Sequence, residues 1–389
     1  MPPDPAAALL VPEAPRSPTA LARRLRVADV ALFYGERSGG IRTYLEAKAE
    51  FAARTGVFEH HLVVPGRPAA SAEHNHDEAE ANRHEQPSLQ LAGSNGYRIP
   101  LGSAGLQTTL RALAPDVVLL HDPYWTPRLT SRAAHEIGAA VIAVHHSSAA
   151  LHAAGLPGPQ GVYRRVLRRW YRRAYLDVDA VMSVVDPAPD TCRASTLPLR
   201  LGLGPEFRPR TKEVARGDHV LYVGRLSREK GVRELLEAAA AAGVKWPLVL
   251  RGTGPAADTL GERARQLGLS ARISFEPYIR DRNELAREYA RARCVALPGA
   301  HETFGLVVLE AAACGTPVIT AESTPSAALV GGFAQTFRAG DPTDLLRAIE
   351  RARGQADDPA GAAELATRHS WDAALTAELA DLERLAGCG

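Results

Sequence analysis

Two series of short apolar runs, each alternating with longer amphipathic segments, dominate the pattern of this 389-residue chain. Runs such as 117–120 (VVLL) and 141–144 (VIAV) are short and rich in β-branched residues, which is typical of buried strands. The segments between them, such as 41–54, repeat apolar residues at helical spacing. This alternation predicts βαβ units, and therefore parallel sheets with helices packed on their faces.

The alternation stops at residues 198–216, where Gly, Pro and Arg dominate, and then resumes. We therefore predict an N-terminal Rossmann-like domain at 21–205 and a C-terminal one at 206–365. A helix within 366–389 is expected to pack back on the N-terminal domain. Ligands of such sheets bind at the carboxyl ends of the strands. The predicted fold class is α/β, with two doubly wound parallel-sheet domains facing a central cleft.

Two further segments lack this pattern. Residues 1–20 contain six prolines and are predicted to be a disordered tail. Residues 66–95 are polar and unpatterned, which favours a flexible surface insertion. His74, His76 and His84 lie there among acidic residues and leave metal binding open, although no ligand spacing repeats.

Composition excludes several classes of protein. With 46 Lys+Arg against 44 Asp+Glu, the net charge of +2 argues against a protein that wraps nucleic acid. The four cysteines lie far apart with no C-x-x-C pair, which excludes a disulfide scaffold and fits a reducing cytoplasm. No apolar run approaches the roughly 18 residues that a membrane span needs. We expect a cytoplasmic protein without a nucleic-acid partner.

Residues 296–320 (ALPGAHETFGLVVLEAAACGTPVIT) carry the strongest chemical signal. A buried strand is followed by a loop with Glu302, by Gly305, and then by a helix. The glycine lets a ligand approach the backbone, and the free amides of the first helical turn form an anion site. Glu310 lies about 9 Å further along the helix axis. Because carboxylates accept hydrogen bonds from sugar hydroxyls, this segment predicts nucleotide-sugar recognition rather than two solvated glutamates.

A second segment, 220–234 (VLYVGRLSREKGVRE), joins a strand to a helix through a basic loop. Arg225 and Lys230 leave the carboxyl end of that strand, where a ligand's phosphates are expected. An Arg fork and a Lys point charge are suited to neutralise a departing diphosphate. As a pair in this position they predict phosphate binding, although either residue alone is more often a solvated cation.

Together these motifs resemble those of the retaining GT-B glycosyltransferases of family 4, the group of phosphatidylinositol mannosyltransferases and sucrose-type synthases. Four family signatures are present, at 224–231 (GRLSREKG), 252–255 (GTGP), 302–310 (ETFGLVVLE) and 315–318 (GTPV). The resemblance extends over roughly 26–385 and implies the GT-B fold. One departure is Arg251, where the family has an apolar residue or Gly. Its side chain either alters contacts to the nucleobase or points outward.

The resemblance implies specific roles. The donor-binding positions are Gly40, Arg225, Lys230, Glu302, Phe304, Gly305, Leu306 and Glu310. Among them Arg225 and Lys230 would hold the diphosphate, Glu302 would contact the transferred sugar, and Glu310 would bind the ribose hydroxyls. Gly40 would let the first loop approach the phosphates.

The resemblance also implies a histidine after the fourth N-terminal strand, on the reactive side of the sugar. His145 and His146 both follow that strand, and the V-H-H-S-S match favours His146. The implied catalytic residues are His146, Arg225, Lys230 and Glu302. Residues His121, Asp122 and Tyr124 follow the preceding strand and are expected on the acceptor side.

The predicted activity is a metal-independent, retaining transfer of a hexosyl unit from a UDP- or GDP-sugar to an acceptor hydroxyl, with no cofactor. The acceptor stays open between a glycolipid, a polysaccharide end and a small-molecule aglycone. Alternatives are a sugar-nucleotide 2-epimerase, a phosphorylase or a non-catalytic binder of the same fold. A Rossmann oxidoreductase is weakly indicated by the glycines of 252–257.

The basic helix at 163–175 either contacts an anionic membrane from the cytoplasmic side or is a solvated face.

Overall fold

The computed structural model describes residues 23–32, 34, 40–66, 82–90, 98–121, 127–146, 149–154, 158–184, 195–211, 214–302 and 304–387. The predicted tail at 1–20 lies outside these residues. The described part folds into two α/β units, each built on its own sheet. No described helix combines the length and the apolar character that crossing a membrane requires.

The N-terminal unit contains a sheet whose strands follow the order β4-β3-β2-β1-β5-β6-β7-β8. Its described elements are β1 (Arg26–Val30), α1 (Gly40–Thr55), β2 (Glu59–Gly66), β3 (Arg83–Gln90), β4 (Arg98–Pro100), α2 (Ala104–Leu113), β5 (Val117–Leu120), α3 (Pro127–Glu136), β6 (Ala140–His145), α4 (Ala149–Ala154), α5 (Gln160–Ala174), β7 (Ala180–Ser183) and β8 (Ser195–Pro198). Strands β1 to β3 and β5 to β8 pair in parallel, while the edge pair β3–β4 is antiparallel. The strand order reverses between β1 and β5, so the carboxyl ends of these strands flank the crevice where ligands of such sheets bind.

The polar segment at 66–95 contains a strand that the sequence pattern did not predict. Strand β3 pairs in parallel with β2, with Leu62 opposite Arg83. Its sequence, RHEQPSLQ, is almost without apolar residues, because it lies towards the edge of the sheet and is held by backbone hydrogen bonds. His84 contacts His61 of β2, with Nε2 3.2 Å from Nδ1. The described residues contain no group of three or more side chains suited to a metal ion, and His74 and His76 lie outside them.

The C-terminal unit is a parallel sheet with the order β11-β10-β9-β12-β13-β14. Its described elements are β9 (Val220–Val223), α6 (Val232–Ala239), β10 (Leu248–Arg251), α7 (Ala257–Gln266), β11 (Ile273–Glu276), α8 (Arg282–Arg291), β12 (Cys294–Leu297), α9 (Leu306–Ala313), β13 (Val318–Ala321), α10 (Ser326–Leu329), β14 (Ala334–Phe337), α11 (Pro342–Arg353), α12 (Pro359–Arg368) and α13 (Trp371–Ala386). Buried aliphatic clusters cover both faces of the sheet. The order reverses between β9 and β12, whose carboxyl ends lead into the two motif-bearing loops.

The last helix, α13, crosses to the N-terminal unit and packs on α1. Leu375 and Leu382 of α13 join the core formed by β1, α1 and β2. The same contact buries charge, because Lys48 of α1 lies 2.7 Å from Oε1 of Glu378 and 3.1 Å from Oδ2 of Asp29. These three side chains are almost completely shielded from water.

Replacing Lys48 by methionine is expected to lower the free energy of unfolding by about 3–5 kcal/mol, since two buried carboxylates lose their cation. Urea unfolding followed by circular dichroism measures it. The matched control is Arg54→Met, because Arg54 joins the same two helices through an exposed ion pair to Asp372. That pair should contribute less than about 1 kcal/mol. If the two variants lost equal free energy of unfolding, burial would not be what makes the ion pairs of Lys48 important.

Candidate active site

The basic loop after β9 is pressed against the end of β12. Its glycine, Gly231, has φ +67°, a backbone conformation that other residues rarely adopt. A Cβ there would lie 2.6 Å from the carbonyl oxygen of Pro298 and 3.1 Å from the amide nitrogen of Gly299. Only glycine therefore allows this approach, which brings Lys230 to the loop that follows β12.

Lys230 and Glu302 are the point at which the two sequence motifs meet. The Lys230 ammonium lies 2.6 Å from Oε1 of Glu302, although the residues are 72 positions apart in the sequence. Both side chains are half-buried, with 25% and 13% of their surfaces exposed. A cation and a carboxylate thus lie side by side and remain accessible to a ligand. Their spacing suits a group that offers both anionic oxygens and hydroxyls.

Helix α9 begins beside this pair with an uncapped N-terminus. Gly305 precedes the helix in the left-handed conformation, with φ +84°, and no side chain caps it. Phe304 is buried, so its side chain packs in the core while its backbone lies next to the N-terminus of the helix. Within the described residues, the amides of Gly305 and Leu306 have no backbone acceptor. The helix start therefore offers free donors and a positive dipole end to an anion.

The N-terminal unit approaches the same helix start. A Cβ on Gly40, the first residue of α1, would lie 3.2 Å from Cδ1 of Leu306. Helix α4 also contacts the turn at Arg228–Lys230. The predicted donor positions Gly40 and Leu306 are thus neighbours across the two units. The remaining residues of the first loop, 35–39, lie outside the described residues.

Arg225 lies in the same loop as Lys230 and is exposed. Among the described carboxylates none forms an ion pair with it, so its guanidinium is available to a ligand. The loop is supported by the GTGP turn, since Leu226 N donates to Thr253 O at 3.0 Å and Ala256 N donates to Leu226 O at 2.9 Å. This support explains why the two signatures occur together.

Glu310 lies deeper than Glu302 and is bonded within the protein. It is 3% exposed. Arg282 donates to its Oε1 and the Tyr289 hydroxyl donates to its Oε2, both at 2.9 Å. Arg282 also pairs with Glu206. The arrangement fixes the orientation of the Glu310 carboxylate, and a carboxylate oxygen can accept more than one hydrogen bond. Its role toward a ribose remains a prediction.

Arg251, the departure from the family pattern, is largely buried rather than directed outward. Its guanidinium lies 2.8 Å from Oε2 of Glu288 and 3.7 Å from Oε2 of Glu276. Glu276 is its register partner on β11. The cation is therefore neutralised by its own neighbours in the sheet.

Beyond β6, His146 is part of a chain of polar groups. Its Nε2 lies 2.7 Å from Nδ1 of His121, whose Nε2 lies 2.6 Å from Oδ1 of Asp29. His121 is buried and both of its ring nitrogens are engaged by these neighbours, and its expected place on the acceptor side stays a prediction. His145 packs between two tyrosine rings in the core. Asp122 and Tyr124 lie outside the described residues.

Profiles of two protein families match this chain. The one described as Glycosyltransferase Family 4 matches residues 38–190, and the one described as Glycosyl transferases group 1 matches residues 205–355. A GDP-mannose-dependent alpha-(1-6)-phosphatidylinositol dimannoside mannosyltransferase of Mycobacterium tuberculosis is 31% identical over 317 residues, which are 77% of this chain and 80% of that protein. The chain belongs to the family 4 glycosyltransferases. This membership replaces the oxidoreductase alternative, and the enzyme is a hexosyltransferase.

Other relatives agree with the assignment. A D-inositol 3-phosphate glycosyltransferase of Mycolicibacterium paratuberculosis is 39% identical over 203 residues, 46% of this chain and 44% of that one. Among solved structures, the sucrose-phosphate synthase of Thermosynechococcus elongatus matches with a TM-score of 0.73 at 19% identity, covering 94% of this chain and all of that one. The structural likeness establishes the GT-B fold of this glycosyltransferase.

Several residues of the site were not predicted from the sequence. Asp29, Lys48, His60, Tyr44 and Glu378 form the buried network behind His146, and Arg282 and Tyr289 hold Glu310. None belongs to a short motif. Two signals were available in the sequence: a lysine within the apolar stripe of α1 and an aspartate inside β1. Each predicts a buried partner of opposite charge, because a charge at a core position needs one.

Proposed function

We propose that this glycosyltransferase moves a hexosyl unit from a UDP- or GDP-sugar to an acceptor hydroxyl, with retention of anomeric configuration. The contact between Lys230 and Glu302, at the open start of α9, carries the proposal. Lys230, Arg225 and the helix amides would neutralise the diphosphate as it departs. Glu302 would accept hydrogen bonds from the sugar. The mannosyltransferase relative, whose name includes GDP-mannose, supports a nucleotide-sugar donor.

Retention is what the resemblance to the retaining family 4 enzymes implies, and the site bears on how retention would be reached. Glu302 is already bonded to Lys230, so it is poorly placed to act as a free nucleophile. A retaining enzyme with two catalytic carboxylates needs them about 5 Å apart, one on each side of the bond. The departing phosphate is then the group that takes the proton of the acceptor hydroxyl, on the face that it leaves. Proton NMR of the first-formed product, which reports the anomeric configuration, tests this step.

The donor is tested by a thermal-shift screen of GDP-mannose, UDP-glucose and ADP-glucose. A donor present at a hundred times its Kd should stabilise the protein by about 2.7 kcal/mol and raise its Tm. Incubation with the donor alone distinguishes transfer from epimerisation, since an epimerase changes the sugar without an acceptor. If no sugar nucleotide shifts the Tm and none is consumed, the proposal is wrong.

Metal independence is also part of the proposal. The chain contains one D-x-D triplet, Asp177-Val178-Asp179. It precedes β7, and Asp179 accepts a hydrogen bond from the amide of Val141 near the start of β6. Asp177 pairs with Arg128. The triplet thus lies at the amino ends of the strands, away from the edge that carries His146. We expect transfer to continue in the presence of EDTA, and its loss on chelation would contradict this.

We further propose that α5 contacts an anionic membrane surface. Val162, Val166 and Trp170 are four residues apart and 57%, 60% and 49% exposed, so they form one apolar stripe. Six arginines flank the stripe, at 164, 165, 168, 169, 172 and 173. An apolar stripe bordered by cations fits the interface of an anionic bilayer. Together with this contact we propose the expected cytoplasmic location, on the inner face of the membrane.

Replacing both Val166 and Trp170 by serine should reduce co-sedimentation with phosphatidylglycerol-containing vesicles at low salt by about tenfold or more, since each removed apolar side chain contributes roughly 1–3 kcal/mol on burial. Val57→Ser is the matched control, because Val57 is an exposed apolar residue outside this helix. It should bind vesicles as the unmodified protein does. Equal binding by all three proteins, or no binding at low salt, would refute membrane contact.

A further inference from the structure

The loop that carries Glu302 has little backbone bonding of its own. It comprises residues 298–305 and joins β12 to α9. Among its described residues, backbone hydrogen bonds reach only the carbonyl oxygens of Phe304 and Gly305. The place of Glu302 therefore depends on contacts from outside the loop, and the ion pair with Lys230 is one of them.

A second contact comes from the segment 323–326, which follows β13, and it reaches the N-terminal flank of Glu302. Ser323 is exposed, and its hydroxyl donates to the carbonyl oxygen of Ala300 at 2.9 Å. Ala300 precedes Glu302 by two residues. Because a carbonyl oxygen can only accept, the serine is the donor in this bond.

The C-terminal flank of the loop is held by Ser326, the first residue of α10. Its amide donates to the carbonyl oxygen of Phe304, and its hydroxyl donates to that of Gly305, both at 3.2 Å. Ser326 is fully buried. The first amides of a helix have no partner within the helix, and here one of them bonds to the loop of the candidate site. Ser326 thus connects α10 to the start of α9.

The same segment gives a second reason for the glycine at position 305. A Cβ there would lie 2.9 Å from Oγ of Ser326 and 3.1 Å from Cγ2 of Thr324. Thr324 is buried, and its Oγ1 lies 2.8 Å from Oγ1 of Thr320 in β13. The segment therefore fills the space that a side chain at position 305 would need. This close approach determines where the free amides of Gly305 and Leu306 lie.

We propose that Ser323 and Ser326 are positioning residues, which hold the loop on both flanks of Glu302. They thereby keep Glu302 beside Lys230 and orient the free amides of α9 toward the donor's diphosphate. The identity of that ligand rests on the proposed sugar transfer. A half-exposed ion pair does little to order a loop, whereas hydrogen bonds on both flanks restrict the backbone between them. Groups that act in a reaction must be held to within about 0.5 Å, which is the task assigned to these serines.

The double variant Ser323→Ala/Ser326→Ala tests the proposal by kinetics. Its kcat/KM for sugar transfer should fall by about ten- to a hundred-fold, since a displacement of roughly 1 Å can cost the larger factor. Ser323→Thr/Ser326→Ala keeps one hydroxyl and should recover part of this loss. The matched control is Ser131→Ala in α3, because Ser131 is also fully buried and its hydroxyl donates to the carbonyl oxygen of Pro127 at 2.9 Å.

Ser131→Ala should retain the activity of the unmodified protein. Full activity in the double variant would overturn the proposal. An equal loss in Ser131→Ala, or no recovery when the hydroxyl at position 323 is kept, would also overturn it, because either result would indicate general destabilisation.

Hydrogen exchange of the full-length protein, followed by mass spectrometry, tests the contact without any substrate. The amide of Val308 donates to the carbonyl oxygen of Gly305 at 2.9 Å and therefore reports on the start of α9. It should exchange about tenfold faster in the double variant, the effect of losing one hydrogen bond, and at the original rate in Ser131→Ala. An unchanged rate in the double variant would contradict the proposal. If the unmodified protein uses no sugar nucleotide, the proposed function is wrong, while the exchange rates still decide whether these serines hold the loop.

Discussion

Replacing Lys230 by alanine is expected to reduce kcat for sugar transfer by about 10²–10³-fold, the loss that follows removal of one group stabilising a developing negative charge. The structure makes Lys230 more than a local cation, because its ammonium also neutralises Glu302 at 2.6 Å. Without it, Glu302 would bring an unpaired negative charge to a site built for a diphosphate. Steady-state kinetics with the donor found in the thermal-shift screen measures the loss.

The matched control is Arg228→Ala. Arg228 lies in the same turn, two residues before Lys230, and is exposed. It carries the same charge, so a general electrostatic attraction of the donor would be weakened equally in both variants. We expect Arg228→Ala to change kcat little. Lys230→Arg should recover part of the activity because the charge is kept. Full turnover by Lys230→Ala would refute the assignment of this lysine to the leaving group.

Gly231→Ala should reduce kcat/KM by about 10²-fold, the effect of a displacement of roughly 1 Å in a catalytic group. The new Cβ would lie 2.6 Å from the carbonyl oxygen of Pro298 and 3.1 Å from the amide nitrogen of Gly299, which are backbone atoms and cannot turn aside as a side chain can. The loop must therefore move away from the end of β12 and take Lys230 with it. The left-handed φ of +67° adds strain of about 1–3 kcal/mol, which should also lower the Tm.

Gly243→Ala separates these two causes. Gly243 also has a left-handed φ, +84°, but a Cβ there would meet no atom within 4 Å. This variant should therefore lose stability through backbone strain and keep its activity. A similar loss of kcat/KM in both variants would show that destabilisation alone, and not the displacement of Lys230, explains the effect of Gly231→Ala.

The sequence was most informative where one local pattern determines one element. Strand β5 has the predicted bounds, and β12 and α9 lie before and after the Glu302 loop in the predicted order, because a buried parallel strand must be apolar and a helix repeats its apolar face. It was least informative for β3, whose polar residues are held by backbone pairing with β2. Backbone hydrogen bonds leave no side-chain signal, so that strand was predicted as an unpatterned insertion.

The sequence by itself determined the two-unit α/β fold and the two motifs, since glycine, cation and carboxylate spacing is a local property. The tertiary structure decided which of these residues share a site. It paired Lys230 with Glu302, bonded Glu310 to Arg282 and Tyr289, and placed His121 between Asp29 and His146. Such pairings join residues as far apart as Lys48 and Glu378, and they depend on how helices and sheets pack together. Burial strengthens the electrostatic interactions of these groups and makes an unpaired charge costly, so each group needs a partner. Spacing along the chain does not specify which residue that partner is.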